Sequence, residues 1–195
     1  TFEPFVKVSD VACSGDCFAL QGGFRAFIDL QGLAIDRSAT STKGNVYVAW
    51  HDSRRVQFPD LASPTGFYGY ADAVVSVSSN GGANWSAPVR MNQNVEPLAN
   101  GRGTDQYMPG IAVDKTGRVE ACFYHRRLDP KNFFFDRFCA LSTDGGQTWA
   151  DARQTRSSSP SIHATDTFIN PFYMGDYDGM ASDFTNINKG FVGAF

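Results

Sequence analysis

Two stretches of this chain carry the same turn. In VSSNGGANWSAP, Ser78, Asn80, Gly82 and Trp85 stand at the offsets of Ser142, Asp144, Gly146 and Trp149 in LSTDGGQTWAD. A short side-chain acceptor, two adjacent glycines and a tryptophan at this spacing specify a hairpin that closes on itself. The Asp or Asn side chain accepts hydrogen bonds from the N–H groups of its own turn, and glycine enters left-handed backbone without steric penalty. The indole then folds back over the turn and buries about 150–250 Å². A turn that recurs in this form implies a repeated unit, and repeated units restrict a chain to few architectures.

The segments between the turns repeat as well. GLAID (Gly32 to Asp36), GIAVD (Gly110 to Asp114) and GMASD (Gly179 to Asp183) align without gaps, and each opens a unit. After the first two comes a turn with glycine, at Lys43-Gly44 and Thr116-Gly117, and then an apolar strand, NVYVAWHD at 45–52 and RVEACFYH at 118–125. A third strand follows, AVVSVS at 73–78 and RFCALS at 137–142, and runs into the Gly-Gly turn, after which SAPVRMN supplies a fourth. All these runs are short, rich in Val, Ile, Phe and Tyr, and bounded by Gly, Asn, Asp or Pro. No stretch sustains a three-to-four-residue apolar period, so the chain reads as all-β. Four antiparallel strands per unit, with the same turn chemistry at the same junction, predict a blade of a β-propeller; a sandwich gives no reason for that repetition.

The turn S-x-D-x-G-x-x-W resembles the Asp-box, or BNR repeat, of sialidase-like β-propellers; Ser142, Asp144, Gly146 and Trp149 match it fully, and Ser78, Asn80, Gly82 and Trp85 match with Asn for Asp. The inter-box repeats also look like those of bacterial exo-α-sialidase-like proteins. The resemblance implies an all-β, sialidase-like propeller with four-stranded antiparallel blades, and places the boxes on the outer rim, where the Asp is structural. FEPFVKVSD aligns with the fourth-strand segment WSAPVRMNQ, and FVGAF with the second-strand segment VYVAW. The expected organisation is one partial propeller over 1–195: the last strand of a preceding blade at 1–10, blades at 30–92 and 108–156, and the first two strands of a further blade at 177–195. Closed propellers take four to eight blades, so the chain is expected to be a piece of a longer one.

Bulk properties exclude other classes. A chain of 195 residues with a net charge of −3 holds enough apolar residues for a core, and its arginine pairs, Arg54-Arg55 and Arg126-Arg127, are too short to suggest nucleic acid. No apolar run reaches the roughly 18 residues of a membrane span, and TFEPFVKVSD lacks signal-peptide regions, so the chain is expected either never to be exported or to have lost its leader. Cys13, Cys17, Cys122 and Cys139 fall in two near pairs without His or Cys at zinc-ligand spacing. Disulfides are expected over metal. If Cys122 and Cys139 lie on neighbouring strands a hairpin brings them face to face, which suits a secreted, periplasmic or cell-surface location; four buried thiols in a cytosolic chain are the alternative.

Function is sought where strand-one entries meet strand-two exits. Those places hold Asp105, Gln106 and Tyr107; Gly175, Asp176 and Tyr177; His51, Asp52 and Arg54; and Tyr124, His125 and Arg127. With Gly44 aligned on Gly117, Arg54 and Arg127 are equivalent, and two arginines facing Asp105 and Asp176 either clamp a sugar carboxylate or belong to structural ion pairs with Asp52 or Asp129. His51 and His125 read first as polar strand ends, and GDYDG is also ordinary turn composition. The resemblance implies, for a sialidase, three arginines, an Asp acid/base and a Tyr nucleophile paired with a Glu. Arg25 stands at an early position comparable to the first of those arginines, but Glu3, Glu96 and Glu120 are the only glutamates, and no Tyr pairs with them from sequence. The oxygen-rich loop 170–178 is a weak calcium candidate without EF-hand spacing; no other cofactor is expected. Two readings stand. One is an extracellular glycan- or protein-binding or structural module, completed by further blades. The other is an exo-α-sialidase-like glycoside hydrolase whose remaining catalytic residues lie in those blades.

Overall fold

The computed structural model describes residues 4–12, 19–21, 24–25, 32–63, 65–160, 178–183 and 191–194. Cys13, Cys17, Asp176 and Tyr177 lie outside the described residues, as does the calcium-candidate loop except for Asp178. In chain order the strands are β1 (Ala19–Leu20), β2 (Phe24–Arg25), β3 (Gly32–Ile35), β4 (Val46–Pro59), β5 (Phe67–Ser78), β6 (Val89–Arg90), β7 (Gln106–Val113), β8 (Val119–His125), β9 (Phe134–Ser142), β10 (Ala150–Arg153), β11 (Ser159–Pro160), β12 (Gly179–Ser182) and β13 (Phe191–Ala194). Among the described residues there is no helix, and the all-β expectation holds.

The first sheet runs β3-β4-β5-β6 and the second β7-β8-β9-β10, each an antiparallel meander, with β11 pairing on β9 beyond β10. A third ladder, β12-β13, repeats the first two strands of that order. In both full sheets the Asp that closes the G-x-A-x-D segment caps the turn into the second strand. Asp36 Oδ1 accepts the Ser38 N–H at 2.7 Å and Oδ2 accepts the Thr42 hydroxyl at 2.6 Å. Asp114 Oδ1 accepts the N–H groups of Thr116 and Arg118 at 2.8 and 3.1 Å. Gly44 and Gly117, at φ of 90° and 78°, supply the left-handed step each turn requires.

The repeated glycine that opens those segments has a packing reason. A Cβ at Gly32 would stand 3.0 Å from both the Pro109 carbonyl oxygen and Ile111 Cγ2, and one at Gly110 would stand 3.2 Å from Met180 Cβ. First strands of successive units thus approach one another closely, β3 against β7 and β7 against β12. Between the two full sheets lies one apolar core, with Tyr47, Ala49, Val75 and Met91 on one side and Ile111, Val119, Ala121, Phe123 and Trp149 on the other. Burying each of the larger side chains contributes about 1.5–3 kcal/mol. Alternation decides which residues take part. Tyr47 and Ala49 are fully buried, whereas Leu33 and Ile35 are 65% and 50% exposed. β7, with neighbours on both sides, is buried along its whole length.

Two elements differ from expectation. The second and third strands of the first sheet run on as a long hairpin, β4 to Pro59 and β5 from Phe67, past a register irregularity between Asp52 and Val56. The fourth strand shrinks to Val89–Arg90, because Asn92 replaces ladder pairing with a side-chain bond, its Oδ1 accepting the Ala73 N–H at 2.9 Å. The expected cross-strand disulfide is present. Cys122 and Cys139 are direct register partners on β8 and β9, with Cα atoms 4.0 Å apart.

Candidate functional site

The two tryptophan turns share one set of bonds. Ser78 Oγ accepts the Gly82 N–H at 2.8 Å, Asn80 Oδ1 accepts the Asn84 N–H at 2.9 Å, and the Trp85 indole donates to the Gly82 carbonyl at 3.0 Å. In the second turn Ser142 Oγ accepts the Gly146 N–H at 2.9 Å, Asp144 Oδ1 accepts the N–H groups of Gln147 and Thr148 at 3.0 Å each, and the Trp149 indole donates to Gly146 at 3.0 Å. Burial works against the Asp144 carboxylate, but bonds from Thr148, Ser142 and Gln147 overcome it and bring its pKa down to about 2. The serine hydroxyl, the Asn or Asp acceptor oxygen and the indole N–H of each motif are engaged within the turn.

At the opposite end of the sheets, where first strands enter and second strands leave, polar side chains collect in three connected groups. The deepest is a fully buried ion pair: Arg126 Nη1 lies 3.3 Å from Asp105 Oδ2. Asp105 also accepts from Asn132 Nδ2 at 2.6 Å, the Tyr68 hydroxyl at 2.9 Å and the Ala71 N–H at 3.1 Å. A buried pair left without such partners costs several kcal/mol, and here the carboxylate side of the pair is matched by three further donors. Tyr107 lies against the pair, with Arg126 5.5 Å from its ring centre, and stacks on Tyr124. Burial pushes the Tyr107 hydroxyl well up, and pushes Tyr124 to about 12, with the Asp178 carboxylate adding to the effect.

The second group centres on His125. Its Nδ1 accepts the Arg127 N–H at 3.0 Å, which leaves Nε2 as the donor to Asn94 Oδ1 at 3.2 Å. Burial, with Arg127 and Arg90 nearby, holds its pKa well below the usual histidine value, so it is a neutral hydrogen-bonding link. Asn92 ties this group to the third: its Nδ2 lies 2.7–2.8 Å from acceptors on Asp72, Asn94 and Gln106, which share its two N–H donors.

The third group is open. Asp52, Arg54, Arg55, Asp72 and Arg90, with Val74 and Pro88, line a cavity of about 310 Å³. Arg54 grips Asp52 through Nε and Nη2 at 2.7 and 2.6 Å. Arg55 holds Asp72 at 2.7 Å and Glu96 at 3.0 Å, and Arg90 stands 3.7 Å from Asp72. Three guanidinium groups meet three carboxylates, and the cluster is neutral overall.

The sequence-derived candidates therefore separate. Asp52 and Arg54 meet in the open cavity; Asp105 and Tyr107 lie in the buried pair with Arg126; and His125 is a buried link. Arg127 packs its guanidinium 4.0 Å from the Phe138 ring centre and pairs with Asp151. Arg54 and Arg127 share no partner among the described residues; Arg54 meets Asp52, one of the two carboxylates of the ion-pair reading, and Arg127 meets Asp151 rather than Asp129. The β4 irregularity is the physical reason: it shifts the chain after Asp52, so Gly44 and Gly117 alignment no longer predicts where the arginines point. Sequence reasoning missed Arg55, Asp72, Arg90, Asn92, Arg126 and Asn132. Arg126 carried no signal in the sequence beyond its place beside Arg127, because both follow the end of β8 and a turn closed by the Asp129 N–H on the Arg126 carbonyl decides which of them faces inward.

No family model matches the chain, and no curated protein matches it. Among solved structures the chain is similar to Hadza microbial sialidase Hz136, at 15% sequence identity and a TM-score of 0.41, over 76% of this chain and 28% of that one.

Proposed function

We propose that the chain is part of an extracellular Asp-box β-propeller that serves as a glycan- or protein-binding module, without hydrolytic chemistry in the blades present here. The two full sheets are two blades, β12-β13 begins a third, and the axis runs along the first strands. One observation carries the binding reading over the catalytic one: the arginines of the polar end are already matched by carboxylates. Arg54, Arg55, Arg90, Arg126 and Arg127 all have acidic partners, and releasing a buried partner to receive substrate costs several kcal/mol. The glutamates are similarly engaged. Among the described residues Glu96 accepts from Thr104 and Arg55, and Glu120 neighbours Cys122 and Arg118, while the Tyr68 and Tyr124 hydroxyls bond to Asp105 and Asp178. The Cys122–Cys139 disulfide supports an oxidising, extracytoplasmic location.

The second reading, a glycoside hydrolase completed by other blades, draws on the three arginines that line one cavity. The longest natural chain carrying this sequence separates the two. Binding to immobilised glycans or cell-surface proteins with no release of sugar from an aryl sialoside supports the module. Turnover that disappears in Arg55→Ala, with folding intact, replaces it with the hydrolase.

A further inference from the structure

Arg102 stands apart from the arginines of the polar end. It has no carboxylate partner among the described residues, and its guanidinium lies 4.2 Å from the centre of the Phe58 ring. It lines a separate cavity of about 220 Å³ with Gln21, Phe58, Asp60, Tyr68 and Tyr70. Burial raises the Tyr70 hydroxyl pKa, and a hydrogen bond from Arg102 opposes that rise, which places the cation at the cavity wall.

The loop that presents Arg102 is fixed in advance. Its carbonyl accepts the Leu98 N–H at 2.7 Å, its own N–H donates to Asn100 Oδ1 at 3.0 Å, and the Gly101 N–H donates to Leu98 at 2.8 Å. Glu96 Oε1 anchors the far side by accepting the Thr104 N–H at 2.7 Å. At Gly103 a Cβ would stand 2.8 Å from the Tyr70 ring, so the loop sits directly on the aromatic wall. The aromatic side is equally set: Tyr68 and Tyr70 meet edge to face at 4.9 Å, and the Tyr68 hydroxyl receives the Gln21 N–H at 2.6 Å while donating to Asp105. Asp60 Oδ1 accepts the Ala62 N–H at 3.0 Å, and no described donor occupies its other oxygen.

We propose that this cavity binds a hexuronic acid residue of a glycan, its carboxylate on Arg102, its hydroxyls on Asp60 and its apolar face on the Phe58 and Tyr68 walls. Each part follows from chemistry present in the cavity. A guanidinium without a carboxylate takes one bidentately, and aromatic walls with a few fixed polar groups are the usual construction of a small-ligand site. Asp60 selects against a dianion such as phosphate and favours a monoanion that brings hydroxyl donors. The proposal rests on the glycan-binding reading above and specifies its ligand.

Calorimetric titration of the natural full-length chain with trigalacturonate, alongside neutral galactotriose, tests it. Trigalacturonate is expected to bind, with affinity at least tenfold weaker in Arg102→Ala, partly restored in Arg102→Lys, and with melting temperature unchanged in both. Phe58→Leu, which keeps the apolar volume, is expected to weaken binding severalfold. Absence of trigalacturonate binding, equal affinity in Arg102→Ala, or equal binding of an aspartate-rich peptide overturns the site. Binding of a neutral glycan that Arg102→Ala leaves unchanged also overturns it, while the broader module reading stands.

Discussion

The two tryptophan turns have the same bonds and different surroundings. In the second, a Cβ at Gly145 would stand 2.9 Å from Thr42 Cγ2, one at Gly146 would stand 3.1 Å from Val77 Cγ2, and Trp149 belongs to the inter-sheet core at 8% exposure. In the first, the nearest described atom to a Cβ at Gly82 is its own turn's Trp85, at 3.8 Å, and Gly81 meets nothing within 4 Å among the described residues. A motif can thus be locally complete and still contribute unequally. The bonds shape the hairpin; the neighbouring sheet decides how much of the global fold depends on it.

Removing the rings is the largest test of that contrast. Trp149→Ala is expected to cost about 3–5 kcal/mol in denaturant unfolding, since it opens a cavity between two sheets. Trp85→Ala should cost about 1–2 kcal/mol, the scale of a half-exposed aromatic. Equal losses would mean that the sheets do not pack on the second turn. The glycines give a smaller difference. Gly82→Ala and Gly146→Ala both force a side chain into left-handed backbone, at about 1–2 kcal/mol. Gly146→Ala adds about 1–3 kcal/mol of overpacking against Val77 and Tyr47. If the two variants melt together, the contact carries no weight.

Acid separates the turns by chemistry rather than packing. Asp144 has a folded-state pKa near 2, below its unfolded value of about 3.9, so its contribution is present above about pH 4 and disappears as pH falls towards 2. Asn80 has no such dependence. Asp144→Asn is therefore expected to flatten the acid limb of the stability profile, and a limb of unchanged slope would assign that dependence to other carboxylates. The smallest expected effect comes from His125. Its folded pKa is depressed, so the stability it contributes is present above about pH 6.5 and falls as pH drops below that value. His125→Gln should reduce the slope between pH 6.5 and 5, read from melting temperatures; an unaltered slope would show that His125 does not titrate there.

Much of the fold was legible because its signals are local. Gly32 and Gly110 stand at the same register against their second strands, Asp36 and Asp114 marked the same turn, and Cys122 and Cys139 paired where the hairpin put them. The polar end was less legible because side-chain direction there depends on turns and irregularity. The shift after Asp52 redirected Arg54 and Arg55, and the turn after β8 sent Arg126 inward and left Arg127 at the edge. Arg102 gave no periodic signal at all. Its surroundings come from Phe58, Tyr68 and Tyr70, residues brought together by a hairpin longer than the repeat predicts.

The Cys122–Cys139 bond also has a mechanical meaning. It bridges two strands that the ladder already pairs, across a sequence separation of 17 residues, so those residues are withheld from extension when the chain is pulled. At about 3.3–3.6 Å per residue, reduction would release on the order of 55 Å of contour. Under tension the β8-β9 hairpin would thus remain one inextensible link, while the first sheet, which has no such bridge between β4 and β5, yields along its full length.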